Sequence, residues 1–189
     1  MAERVQKQWC CSMRENSVRH DPKSQSWKGL LVATVIAILW IWSLVCLSFV
    51  DIYQLSLLWI LPAILGRTFI QTGLFIVAHD AIHGSVYSSN RKLNDAIGQF
   101  AVTLYALLDY QKLAVNHWQH HRQPGQAGDP DFHDCNRFVW YLKFMKGYLN
   151  IRQIIIQCLG LGTIFFALHL GLHIPITNLF LFLGNSDFF

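Results

Sequence analysis

The chain has 189 residues, of which 53% are hydrophobic and only 14% charged, and its mean hydropathy is +0.30. Soluble domains usually contain about 25% charged residues, so this composition excludes an ordinary soluble domain and indicates a membrane protein. The five cysteines show no CxxC spacing, which argues against a disulfide framework or a zinc ribbon. No nucleic-acid partner is expected.

Long apolar runs predict an all-α, multi-span helical membrane bundle. The first run has 22 residues, about 33 Å as a helix, which is enough to cross a bilayer. Residues 1–27 before it are polar and predict a disordered cytosolic tail, and they are too long and charged for a cleaved signal peptide. Residues 28–189 are then expected to form one membrane domain. Its predicted spans are residues 29–50, 55–78 and 153–172, with an incomplete span at 174–185.

The distribution of basic residues predicts the orientation of this bundle. Of 15 Lys and Arg residues, 14 lie before the first span or between residues 91 and 152. The positive-inside rule makes that side cytoplasmic, together with the N-terminus. The exception, Arg67, lies inside the second span and must face protein, a cavity or water, because a bare charge there costs about 3 kcal/mol or more.

The segment between the second and third spans has its own pattern. Residues 93–108 carry an apolar stripe, but they are short for a span, so we expect them to re-enter the membrane or lie in the interface. Asp109 is a candidate cap for the next helix, which Pro124 and Gly125 end. Residues 138–149 mix aromatics with lysines, as in a helix that lies in the headgroup layer.

Two histidine clusters, HDAIH at residues 79–83 and HWQHH at residues 117–121, fall on the predicted cytoplasmic side. Helical spacings of three and four place the members of each cluster on one face. Neutral imidazole is a ligand for iron, copper, zinc or nickel, so the sequence predicts a metal site just outside the bilayer. Its five candidate ligands are His79, His83, His117, His120 and His121.

The ligand set favours redox iron that meets dioxygen, although the spacing does not exclude zinc. An HExxH zinc hydrolase would need a glutamate where Asp80 stands. Asp80, Asp129 and Asp131 are candidates to accept the outer N–H of a ligating imidazole. Asp80 is favoured because it lies inside a cluster, whereas residues 129–131 (DPD) are equally consistent with simple turn chemistry.

The other histidines are weaker candidates. His169 and His173 are also four residues apart, but they lie toward the opposite end of the third span, so we expect them not to bind the metal. His133 follows the DPD turn in a flexible loop, and His20 belongs to the tail.

Together these strings resemble the histidine boxes of bacterial and cyanobacterial-type β-carotene ketolases, in the membrane fatty-acid desaturase and hydroxylase superfamily. HDAIHG at residues 79–84 resembles the first box, and HWQHH at 117–121 the second. The string PGQAGDPDF at residues 124–132 favours ketolases over acyl desaturases. The resemblance covers roughly residues 29–180.

The resemblance implies a helical membrane bundle whose cytosolic, histidine-rich cap holds a non-haem di-iron centre. The implied reaction uses dioxygen and an external electron donor such as ferredoxin to oxidise C4 of a carotenoid β-ionone ring to a ketone. The partners would be a carotenoid substrate and membrane lipid.

Family members carry a third box, also HxxHH, after a fourth span, and this sequence ends before either is complete. We therefore expect an N-terminal portion of such an enzyme, whose activity alone is doubtful. The alternatives are an acyl-lipid desaturase or carotenoid hydroxylase of the same superfamily, and a non-catalytic membrane protein that only binds metal.

Overall fold

The computed structural model describes residues 22–184, and these form seven helices without a strand among them. This confirms the predicted all-α class. The helices are α1 (Pro22–Ser48), α2 (Leu57–Ile82), α3 (Arg91–Ala106), α4 (Tyr110–Arg122), α5 (Arg137–Tyr148), α6 (Ile151–Leu172) and α7 (Ile176–Phe182).

The first helix begins earlier than the sequence predicts. Residues 1–21 of the expected tail lie outside the described residues, but α1 starts at Pro22, so residues 22–27 are helical. Proline suits the first helical position because its fixed φ matches the helix and its missing N–H is not needed there. The described helix therefore extends about one and a half turns before the boundary predicted at residue 27.

Three helices are long and apolar enough to cross a membrane, and they correspond to the three predicted spans. They are Trp27–Ser48, Leu57–Ile82 and Ile151–Leu172. Large apolar side chains point outward along them; Phe69 is 78% exposed and Leu159 is 67% exposed. Such an outward apolar surface is expected where helices face lipid rather than water.

Helix α3 packs against the C-terminal half of α2 and runs back along it. The Asn94 side chain donates to the Ala81 carbonyl at 2.6 Å, and Arg91 donates to the Ile82 carbonyl. A Cβ on Gly98 would lie 2.6 Å from the Cβ of Ala81, so glycine allows the helices to approach closely. Helix α3 is therefore held closely along the C-terminal half of α2.

The chain reverses after α3 and returns through α4, forming a helical hairpin (residues 91–122). Leu107 ends α3 in the left-handed conformation with φ 53°. Asp109 caps α4, as predicted, by accepting hydrogen bonds from the backbone N–H groups of Gln111 and Lys112. The hydroxyl of Tyr110 donates to Asp95 across the hairpin at 3.1 Å. The hairpin therefore brings α4 back toward the C-terminal end of α2.

Polar side chains tie the remaining helices to this hairpin and to α1. Gln153 and Gln157 of α6 donate to the carbonyls of Leu107 and Ala106. At the other end of the bundle, the Asn178 amide donates to three carbonyls between residues 47 and 50. Helix α7, with seven residues, is too short to span and packs beside the end of α1.

Arg67, whose partner the sequence could not identify, lies in a buried polar network. Its guanidinium is 4.8 Å from the centre of the Trp40 ring, and its Nη1 donates to Gln71 Oε1 at 3.2 Å. The Gln71 oxygen also accepts from Trp40 Nε1, and its amide donates to the Tyr105 carbonyl. Trp40, Arg67 and Gln71, called the Arg67 network below, thus join α1 and α2 to the tip of the helical hairpin.

Candidate metal centre

Four imidazoles meet where the last turn of α2 faces α4. His79 and His83 come from the end of α2, and His117 and His121 from the middle of α4. Nε2 of His117 lies 2.8 Å from Nε2 of His83 and 3.0 Å from Nε2 of His121. The ring centres of His79 and His117 are 4.6 Å apart. Four of the five predicted ligands therefore form one group, called the imidazole cluster below.

The spacing of these nitrogen atoms fits a metal ion. Donor atoms at about 2.1 Å from an ion lie about 3 Å apart when they occupy adjacent positions of an octahedron, and iron, zinc and their neighbours bind imidazole near that distance. The ligand atoms of His79, His83 and His117 all lie within 4.8 Å of one another. A cation placed between several Nε2 atoms accepts the lone pair of each neutral ring, so this arrangement suits a bound metal ion.

His120, the fifth predicted ligand, is turned toward two carboxylates instead. Its Nδ1 lies 2.9 Å from Asp129 and 3.7 Å from Asp131, and its ring centre is 6.0 Å from that of His121. A neutral imidazole that donates from Nδ1 keeps a lone pair on Nε2. His120 can therefore offer Nε2 to a metal while a carboxylate fixes its ring, as in carboxylate–histidine–metal triads.

Asp129 is the best-held carboxylate of the site. Its side chain is fully buried, and it accepts hydrogen bonds from the backbone N–H groups of Gly125 and Asp131 as well as from His120. Burial opposes ionisation, but these hydrogen bonds outweigh it and hold the pKa of Asp129 below its usual value. The DPD segment is thus more than a turn, because it presents a fixed carboxylate to His120.

Asp80, which the sequence favoured, has a looser position. It lies 3.1 Å from Nδ1 of His79, yet its side chain is 51% exposed and that of His79 is 42% exposed. An exposed pair of this kind contributes little to stability. Asp80 is therefore held less firmly than Asp129, a difference that proximity in sequence does not report because it depends on how the loop packs.

The protonation of the imidazole cluster favours metal binding. Burial and the neighbouring His79, His121 and His83 lower the pKa of His117 to about 4. Burial and the neighbouring His79 and His121 also lower the pKa of His83. These two imidazoles are consequently neutral near pH 7, which is the form that binds metal.

Two residues that the sequence did not single out support Asp131. The Tyr148 hydroxyl donates to the Asp131 carboxylate at 2.6 Å, and Trp140 Nε1 donates to the Asp131 carbonyl at 3.1 Å. Burial and the Asp131 carboxylate raise the pKa of Tyr148, so its hydroxyl keeps its proton. Tyr148 and Trp140 lie eight residues apart on α5. Nothing in their residue types or spacing predicts that both contact the DPD turn.

The histidines predicted to be non-ligands lie elsewhere. His169 contacts the Ile174 carbonyl through Nδ1 at 2.8 Å, near the end of the bundle where α7 meets α1. His173 follows α6 in the left-handed conformation. His133 lies in the loop before α5 and belongs to neither group of candidate ligands within residues 22–184.

Comparisons with known proteins cover the same region. The sequence model of the fatty acid desaturase family matches residues 55–183, a range that includes every candidate ligand. A β-carotene 4-ketolase from Protosiphon botryoides is 39% identical over 163 residues, which are 73% of this chain and 41% of that protein. A zeaxanthin 4-ketolase from Chlamydomonas reinhardtii is 34% identical over 154 residues, 75% of this chain and 35% of that protein.

A more distant relative is named for a different activity. The sn-1 acyl-lipid omega-3 desaturase (ferredoxin) of Synechocystis is 32% identical over 84 residues, 41% of this chain and 23% of that protein. The chain spans about two fifths or less of the length of these curated relatives. No solved structure matches the chain.

Proposed function

Because the chain belongs to the fatty acid desaturase family, we propose that it is a membrane-bound, iron-dependent carotenoid oxygenase of the β-carotene 4-ketolase type. The observation that carries this proposal is the match to relatives named as ketolases through the region that holds both histidine clusters. The desaturase relative matches a smaller share of the chain at lower identity than the Protosiphon ketolase.

We propose the five histidines of the two clusters as metal ligands within the membrane domain of residues 28–189. The close approach of the Nε2 atoms of His83, His117 and His121 supports this assignment. Asp129 and Asp80 would orient His120 and His79 by accepting their Nδ1–H groups. Asp131, held by Tyr148, would keep the DPD segment in place.

Bound iron would supply the activation of dioxygen that oxidation of a ring C–H bond requires, with electrons from an external donor such as ferredoxin. The residues of this chain would bind the iron, orient its ligands and hold the substrate. The carboxylates fix two imidazole rings, and the outward apolar surfaces of the spans suit a long polyene dissolved in lipid. The helical hairpin holds the second histidine cluster against the first.

Pigment analysis tests the proposal. The protein is expressed in a host that accumulates β-carotene, alone and joined after residue 184 to the C-terminal segment of the Protosiphon relative. We expect a 4-keto derivative from the joined protein and none from its His117→Ala variant. An unchanged carotenoid profile with newly unsaturated acyl chains would instead establish a desaturase, which is the alternative that the Synechocystis match supports.

We also propose that the imidazole cluster lies on the cytoplasmic side, from the charge distribution described above. Cys135 is exposed in the loop before α5 and reports this side. A variant that keeps Cys135 alone among the five cysteines should resist a membrane-impermeant thiol reagent in intact cells and react after lysis. Reaction in intact cells would reverse the orientation.

A further inference from the structure

A cavity with polar and charged lining residues opens where α6 begins, on the side of the hairpin tip. Its volume is about 330 Å³, and its lining includes Lys112 of α4 and Arg152 of α6. Ile151 is the first residue of a candidate span, so the cavity lies at the level where a membrane surface meets the bundle. A pocket at that depth is adjacent to phospholipid headgroups.

The charges of this cavity favour an anion. Lys112 and Arg152 contribute two positive charges, and Asp109 contributes one negative charge. The Asp109 carboxylate already accepts two backbone N–H groups at the start of α4, whereas Arg152 is exposed and forms no ion pair within residues 22–184. Lys112 Nζ donates to the Tyr148 carbonyl at 3.0 Å, which holds the ammonium in place and leaves two of its hydrogens for a ligand.

The surface below the cavity is apolar. Arg152, Ile156 and Leu159 are spaced by four and three residues, so they share one face of α6. Ile156 lines the cavity, and Ile156 and Leu159 are 42% and 67% exposed. One face thus presents a cation at the membrane surface followed by apolar side chains toward the membrane interior, as the two ends of a phospholipid require.

We propose that this cavity binds the phosphate of an anionic glycerophospholipid between Lys112 and Arg152, with an acyl chain along Ile156 and Leu159. The net charge of +1 matches one phosphodiester that carries a neutral, hydroxylated headgroup. Asn150 and Gln99 also line the cavity and can hydrogen-bond to headgroup hydroxyls. The site is separate from the imidazole cluster and does not depend on the proposed reaction.

Native mass spectrometry of the detergent-solubilised protein tests this site. The protein is titrated with phosphatidylglycerol, with phosphatidylcholine and with soluble glycerol phosphate. We expect one phosphatidylglycerol to be retained more tightly than phosphatidylcholine, and glycerol phosphate to compete only weakly because it has no acyl chain. Equal retention of the two lipids, or glycerol phosphate binding as tightly as phosphatidylglycerol, would overturn the proposal.

Charge variants locate the site. Arg152→Gln should weaken phosphatidylglycerol binding about fivefold and the double variant with Lys112→Gln about 25-fold, since each cation near the surface contributes a factor of about five. Arg152→Lys should restore most of the affinity. Lys143→Gln is the matched control, because it removes the same charge from an exposed position on α5. If Lys143→Gln weakened binding as much as Arg152→Gln, the lipid would be held by general charge and the proposal would be wrong.

Discussion

Helix α2 carries two groups of polar side chains that differ in which partners the protein provides for them. Arg67 and Gln71, in its middle, are each 2% exposed and have partners on α1 and at the tip of the hairpin. His79 and His83, at its end, are more exposed, and their close neighbours are other imidazoles. The first group is paired with groups from other helices, whereas the second consists of imidazoles that face one another.

This difference separates a structural role from a chemical one. A buried amide whose donor and acceptor are both used adds to the stability of the fold, and removing it leaves its partners unpaired. Imidazole nitrogens that face one another can share a proton in the metal-free protein, whereas a cation bound between them accepts the lone pair of every ring. Variants of the Arg67 network should therefore lose stability, whereas variants of the imidazole cluster should lose iron affinity.

The largest effect is expected from His117, whose Nε2 contacts two other imidazoles. His117→Ala removes the central ligand and should lower iron affinity at least about 100-fold, more than loss of an outer carboxylate costs. The fold should remain, because His117 makes no contact with the Arg67 network. Iron per folded protein is measured by elemental analysis of the purified protein.

His169→Ala provides the control for this experiment. His169 is also a helical histidine, but it contacts the Ile174 carbonyl in the opposite part of the bundle. Its substitution should leave iron content within the error of the wild-type value. Depletion of iron in that variant would mean that the ligand set extends beyond the two clusters.

Gln71→Leu should show the opposite pattern. The substitution leaves the Trp40 N–H and the Tyr105 carbonyl buried without their side-chain partner, and each such group costs about 1–3 kcal/mol of unfolding free energy. We expect a loss of about 2–5 kcal/mol in detergent unfolding, with the iron affinity of the folded fraction changed less than about twofold.

Thr72→Val is the matched control on the same helix. Thr72 is exposed and bonds only to the carbonyl one turn earlier, so its loss should change stability by less than about 0.5 kcal/mol. If Gln71→Leu lowered iron affinity while stability stayed unchanged, the contrast between the two groups would be refuted.

The sequence predicted the parts of this contrast that depend on local spacing. Apolar run length located the three spans, and spacings of three and four located the histidine clusters. It could not find the partners of Arg67, because Trp40 and Tyr105 come from other helices. Nor could it find the burial of Asp129, which depends on how the loop after α4 folds back on His120.

The orientation of His120 could be predicted from the sequence only in part. Residues 117 and 121 are separated by about 40° around an α-helix, whereas residues 120 and 121 are separated by about 100°. Helical geometry alone therefore sets His120 apart from His121. Only the structure identifies the carboxylates that it meets on that side.

Smaller effects should distinguish the two outer carboxylates. Asp129→Asn replaces the buried acceptor of His120 and should lower iron affinity about 10- to 100-fold. Asp80→Asn alters an exposed contact of His79 and should lower it less than about fivefold. Competition with a coloured chelator measures both values, and equal losses would remove the distinction based on burial.

The smallest effect is a difference in titration within the metal-free protein. Burial and neighbouring imidazoles lower the pKa of His117 to about 4, whereas the hydrogen bond to Asp129 raises that of His120 above 6.5. On acidification, His120 should therefore gain its proton before His117 does. Histidine-labelled nuclear magnetic resonance in nanodiscs resolves the two rings, and His120→Gln identifies the signal that titrates first.

The two shifts act on stability with opposite sign. Between pH 6.5 and about 4, His117 is protonated in the unfolded chain but remains neutral in the folded protein. Lowering the pH through that window therefore reduces the free energy of unfolding. The contribution of His120 is fully present below 6.5 and is lost as the pH rises through its raised folded pKa. Asp129→Asn should abolish the second dependence and leave the first, because Asp129 is not among the groups that shift His117. If His117 instead titrated above 6.5, the imidazole cluster would be positively charged near neutral pH and unsuited to hold a metal ion.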